Sequence, residues 1–224
     1  MFKLLFTASL ALALAPALHA AQDSKPVPVV KTVEAVQVPA FPNSTCPIMG
    51  KPISTRLFTD TKYGRIYICC KACVKDIQAD VEHTYRTAYP ATQKLENETC
   101  PVTGTKIGKD AVRVLLQGRD FSVADKAAAA IAIDDAQATL AKLLDTKLVD
   151  VGNATCPITG DAVAKNVIAV IDGRIVRFAS AKAVEEAKKE PEKVLAKALE
   201  LRAKEDRERA EKEKQSPQST PAGG

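Results

Sequence analysis

Four of the six cysteines fall in one short stretch, at positions 46, 69, 70 and 73. Cys46-Pro47-Ile48-Met49 is followed by about twenty residues and then by Cys69-Cys70-Lys71-Ala72-Cys73. Thiolates at such spacing can hold a metal: one tight turn points a sulfur inward, and a second turn, opening a helix, supplies more. A helix start also favours anionic sulfur and lowers a thiol pKa. Both Cys69 and Cys70 lie on the same side of a helical turn as Cys73, at i+4 and i+3. The spacing therefore leaves open which of the adjacent pair faces the site. The competing chemistry is a disulfide, Cys46 with Cys69, Cys70 or Cys73. Four cysteines are more than a single staple needs.

The elements that must position these sulfurs recur along the chain. The phrase Asn-x-(Ser/Thr)-Cys-Pro-x-x-Gly occurs at Asn43–Gly50, Asn97–Gly104 and Asn153–Gly160, its cysteines 54 and 56 residues apart. So regular a period marks one small supersecondary unit used three times. Only the first copy carries a second cluster of cysteines. The Asn-x-(Ser/Thr) triplets fit a glycosylation acceptor, but their fixed place before each Cys-Pro turn is better explained by turn and capping chemistry.

After each Cys-Pro turn a hairpin is expected. The outgoing runs include Val112–Leu116 and Val167–Ile171, the turns are Tyr63-Gly64, Gln117-Gly118 and Asp172-Gly173, and the return strands are Ile66–Ile68, Asp120–Val123 and Ile175–Phe178. Asp-Gly between apolar strands is a strong hairpin signal because both turn residues need positive φ. A helix is then expected from near Lys71, Asp125 or Ser180. In the third copy Pro191 restarts a short helix, proline being tolerated in a first turn but not inside; Asp80–Tyr85 is the matching stretch of the first.

The N-terminus, Met1-Phe2-Lys3 and then an apolar run to Leu18 before His19-Ala20-Ala21, has the pattern of a secretory leader, residues 1–20. The run is too short to span a membrane. The remaining chain, about 200 residues, is expected to be exported, periplasmic or extracellular. Residues 21–42 are rich in Pro and Val and read as an extended linker. The units follow at 43–96, 97–152 and 153–201, and then a charged helical extension and disordered tail at 202–224. Its pairs Glu200/Lys204, Glu205/Arg209 and Glu208/Lys212 have the favoured acid-first spacing of four. A protein partner is the functional reading of that helix, a solvated surface the plain one.

The formal net charge of +5 is mild and diffuse, so no nucleic-acid partner is expected. With no tryptophan and 4% aromatics, no large aromatic-lined pocket is expected either, and the core must come from Val, Ile, Leu and Ala. No Gly-rich phosphate loop, acid/base pair or hydrolase triad is present, so no enzyme is expected.

The order Cys-Pro-x-x-Gly, Gly-turn hairpin, Tyr67-Ile68-Cys69-Cys70-Lys71-Ala72-Cys73, helix and Asp80-Val81-Glu82-His83-Thr84-Tyr85 resembles the YHS/TRASH group of small metal-binding domains. The resemblance covers about residues 43–88; the other two copies match in frame only, with Ala124 and Ala128, or Ala179 and Ala183, where cysteines would stand. It implies an α+β fold of three tandem small treble-clef-like units, each a Cys-Pro turn, β-hairpin and helix, with a charged C-terminal helix. It also implies Cys69 and Cys73 as ligands, with Cys70 beside them. The chain departs from the family at Met49, Thr103 and Thr159, where a further cysteine is frequent. Cys46, Cys69, Cys70, Cys73 and Met49 are thus the candidate metal residues. Three thiolates with a thioether form a soft set that suits Cu(I), and Zn(II) is the alternative. His83, the single histidine beyond the leader, is a helix-surface residue or a further ligand.

Cys100 and Cys156 read as small buried residues of their turns, a disulfide between them being the alternative. Three functions remain in competition: an exported metal-binding protein, a disulfide-stapled interaction scaffold, and a thiol redox protein using Cys70 and Cys73.

Overall fold

Alternating strand pairs and helices build the computed structural model, which describes residues 36–215. The leader, residues 21–35 and the tail beyond 215 lie outside the described residues, as do the expectations placed on them. In chain order the elements are β1 (Ser54–Thr61), β2 (Gly64–Ile68), α1 (Cys73–Ala79), α2 (Val81–Ala88), β3 (Gln93–Lys94), β4 (Val112–Leu116), β5 (Arg119–Val123), α3 (Lys126–Asp134), α4 (Ala136–Leu144), β6 (Val149–Asp150), β7 (Ile168–Ile171), β8 (Arg174–Arg177), α5 (Ala181–Ala187) and α6 (Pro191–Gln215). The class is α+β, as expected. Among the described residues no helix is long and apolar enough to cross a membrane.

β4/β5 and β7/β8 are two-residue hairpins whose turns need positive φ at both positions. Gln117 and Gly118 have φ of 46° and 75°, and Asp172 and Gly173 have 49° and 69°. The first hairpin differs from expectation. Thr61 pairs with Gly64, so the loop is Lys62-Tyr63 and Gly64 opens the return strand with φ +83°. Glycine at 64 serves this strand position rather than a turn tip: φ is positive, and a Cβ would lie 2.9 Å from Cγ of Gln117.

The sequence also did not anticipate β3 and β6. Each leads into the next Cys-Pro turn and adds a parallel strand to the following hairpin, β3 beside β5 and β6 beside β8. Two residues carry no readable period. The end of the Pro-rich stretch, expected as a free linker, is instead held down. Gln37 bridges Val170 by paired backbone bonds of 2.9 and 2.7 Å, and the Phe41 carbonyl accepts from Tyr89 Oη and Gln117 Nε2.

Two helices follow each hairpin. The second is the one expected at Pro191 and at the matching Asp80–Tyr85; the structure adds α4 after the middle hairpin and makes α6 long rather than short. Asp80 opens α2 by accepting from the His83 N–H, while Asp125 and Ser180 cap α3 and α5 through the N–H groups of Ala128 and Ala183. α6 continues without a break through residues 201 and 202 to Gln215. Its middle is tied to the third Cys-Pro turn: Arg202 donates to the Gly152 carbonyl, and the Glu205 carboxylate accepts from the Ala154 N–H.

Apolar side chains gather in four clusters, three of them around a turn cysteine and a fourth, of Ala138, Ala141, Ile168 and Ile175, between α4 and the β7/β8 hairpin. Cys46 packs with Ile66, Ile68, Ile77 and Tyr85; Cys100 with Leu116, Phe121 and Leu140; Cys156 with Ile171, Val176 and Phe178. A buried polar network joins them. Gln117 accepts at Oε1 from the Arg65 N–H and from Gln137 Nε2. Arg65 forms a two-pronged pair with Asp60 and donates to the Asn166 carbonyl, and Asn166 Oδ1 accepts from the Gln137 N–H. Gln137 Oε1 is left without a partner, but the remaining bonds of this buried network favour one arrangement of the elements around them.

Candidate metal centre

The three Cys-Pro turns share one hydrogen-bond pattern. The cysteine N–H donates forward to the carbonyl of Lys51, Thr105 or Asp161 (2.9, 2.7 and 2.8 Å), and the glycine N–H back to the cysteine carbonyl. Gly50, Gly104 and Gly160 all have positive φ, which explains the glycine in the phrase. The asparagine does more than cap. Asn43 Nδ2 donates to the Thr45 and Tyr67 carbonyls, and Oδ1 accepts from the Tyr67 N–H. Asn97 does the same with Thr99 and Ser122, and Asn153 with Thr155 and Arg177. Each asparagine thereby staples its turn to its return strand and sets the distance between the first cysteine and the helix start.

Within this frame the first copy brings three sulfurs together. The Sγ atoms of Cys46, Cys69 and Cys73 all lie within 4.8 Å of one another, and the group can hold a metal ion. Cys73 Sγ is 3.6 Å from Cys46 Sγ and 3.9 Å from Cys69 Sγ. A metal 2.3 Å from each thiolate sets sulfurs about 3.8 Å apart in a tetrahedral site and about 4.0 Å in a trigonal one. The arrangement is close to either. All six cysteines are free, and Cys100 and Cys156 are buried in different apolar clusters.

Cys70 is placed outside the trio. It is exposed, with its Sγ 3.6 Å from that of Cys73. The N–H of Cys69 hydrogen-bonds Cys46, as those of Ala124 and Ala179 do Cys100 and Cys156. Cys69, Ala124 and Ala179 are thus equivalent, and so are Cys73, Ala128 and Ala183, four residues on. Cys70 then takes the place of the capping residues Asp125 and Ser180. Met49 is 51% exposed at the tip of its turn, its N–H donating to Cys46. His83 is exposed on α2, and does not belong to the group.

Protons are distributed unevenly over the sulfurs. Burial opposes ionisation of Cys46, yet the N–H groups of Cys69, Met49 and Ile48 bring it down to about 7. Cys73 is pushed up to about 12, first by burial and then by hydrogen bonds with its sulfur neighbours. Burial also raises Cys69. Cys70 is lowered, chiefly by its hydrogen bond with Cys73 and then by the Cys73 and Ala72 N–H groups. Above about pH 7 the trio is therefore one thiolate facing two thiols, and a cation entering it must displace protons. Cys100 and Cys156 are also lowered: burial resists, but N–H and threonine hydroxyl donors outweigh it.

No family model, curated protein or solved structure matches this chain.

Proposed function

We propose that this protein is an exported heavy-metal-binding protein that holds Cu(I), with Zn(II) as the alternative ion, through Cys46, Cys69 and Cys73. The observation that carries the reading is the preformed sulfur trio, at spacings a thiolate-bound metal requires. A three-sulfur set is soft and accommodates a low-coordinate monovalent ion without a fourth ligand, which favours Cu(I). The repeated hydrogen bonds of the three turns support three tandem treble-clef-like units of YHS/TRASH type, of which the first binds metal. In the other two, alanines stand where sulfurs would complete the site, so they serve as scaffold. The role is binding, for metal handling or sensing, rather than catalysis. The apolar N-terminal run and its small-residue end support export to the periplasm or beyond.

Metal content and free-thiol count, measured on protein purified without oxygen beside a Cys46→Ser/Cys73→Ser variant, test this. About one equivalent of copper or zinc, lost in the variant, is expected. Paired cysteines with no metal taken up on titration would leave a disulfide-stapled scaffold instead, its sulfurs already near enough to close.

A further inference from the structure

We propose that Cys70 is the exchange sulfur of this centre, the thiol through which Cu(I) carried by an incoming thiolate enters and leaves the trio. The inference rests on the metal-binding reading above and adds the route. Cys46 and Cys73 are 1% and 2% exposed, and Cys69 is half-buried. Ligand exchange on a thiolate-bound ion requires the new sulfur to approach before the old bond breaks, and buried sulfurs do not admit that approach. Cys70 is exposed and 3.6 Å from Cys73, which is itself near both other members. Cys73 is thus the junction between the open sulfur of Cys70, the half-buried Cys69 and the enclosed Cys46.

Structure alone does not ask for sulfur at this position. In the equivalent places Asp125 and Ser180 accept from the N–H three residues on. Oxygen is the better cap, and sulfur a weak acceptor. A thiol here gives up capping strength for something oxygen does not provide, which is affinity for a soft ion.

The exchange balances without a redox step. Cys70 Sγ forms a bond to the incoming Cu(I), one bond from copper to the carrier thiolate breaks, and the departing thiolate takes up the proton Cys70 loses. Cys73 Sγ then bonds to the ion as any remaining carrier bond breaks, and Cys46 and Cys69 follow. The Cys73 and Cys69 thiols give their protons to the departing carrier thiolate and to solvent, and Cys70 is released and reprotonated from solvent. Release runs the same steps backwards.

The test compares the wild-type protein with Cys70→Ser and Cys70→Asp, which copy the residues of the third and second copies. Cu(I) is delivered without oxygen as its glutathione complex and withdrawn by bicinchoninate. Stopped-flow absorbance gives both rates, and competition at equilibrium gives the affinity. Both variants are expected to bind the same equivalent with unchanged affinity and an unfolding midpoint no lower than the wild type's, since oxygen caps at least as well as sulfur. Transfer should slow in each direction by at least about tenfold, corresponding to about 1.4 kcal/mol of barrier. Native rates in the variants overturn the proposal while leaving the metal site standing. Affinity falling in step with the rates also overturns it, because Cys70 would then be a resident ligand. A wild-type protein that takes up no Cu(I) removes the metal-binding reading itself.

Discussion

At the scale of residues, the first copy differs from the others by sulfur more than by geometry. Ala124 and Ala179 donate to their cysteines as Cys69 does, so the frame survives without the added sulfurs. Replacing Cys69 by serine should therefore weaken Cu(I) binding by more than about 100-fold, beyond what a mere supporting residue costs. Cys100→Ser and Cys156→Ser should leave binding intact; competition titration decides. The pH dependence follows from the proton distribution. Cys46 is depressed to about 7, so it is ionised above that pH, whereas Cys69 and Cys73 are raised and keep their protons. Metal uptake near pH 8 should release about two protons per ion, and about three once the pH falls below the Cys46 value. Affinity should thus fall as pH falls, more steeply below 7. Proton release near zero at pH 8, read by pH-stat titration, would exclude thiol ligands.

Single elements are held by residues whose roles a local reading underrates. The asparagine of each phrase looks like a turn residue, yet its side chain spans to a strand 24 or 25 positions away. Asn43 and Asn153 are 3% and 1% exposed, whereas Asn97 is half-buried. Alanine at 43 or 153 should cost about 1–3 kcal/mol, the range for stranding buried polar groups, and less at 97, where water can substitute. Equal losses in urea denaturation would mean burial does not set the cost. Gly64 meets two demands at once, positive φ and the Gln117 side chain at 2.9 Å from a would-be Cβ. Gly64→Ala should destabilise by about 1–3 kcal/mol.

Across the whole described chain, separate apolar clusters are linked by polar contacts around Gln117. That side chain accepts from Arg65 and Gln137 and donates to the Phe41 carbonyl, touching segments far apart in sequence. Gln117→Ala should lower stability and split the calorimetric unfolding transition, because the cluster around Cys46 would no longer melt with its neighbours. A single transition with an unchanged midpoint would make the network dispensable. Removing residues 206–215 of α6 should alter neither stability nor metal uptake, since the last ties of that helix to the third turn are at Arg202 and Glu205.

Much of this was legible in the chain itself. The spacing of the cysteines, the hairpin turns at Gln117-Gly118 and Asp172-Gly173, and the caps at Asp125 and Ser180 are local signals, because turns and caps depend on nearby φ preferences and side-chain donors. The mixed α+β class followed from them. Spacing alone left Cys69 and Cys70 equivalent, since both share a helical side with Cys73, and only the resemblance pointed to Cys69. The chain path after β2 is what puts Cys69 beside Cys46 and Cys73 and leaves Cys70 exposed. The strands β3 and β6, the docking of Gln37 and Phe41, and the shift of the first hairpin loop were likewise invisible. Each arises where two distant segments meet, and no single segment carries the pattern of the pair.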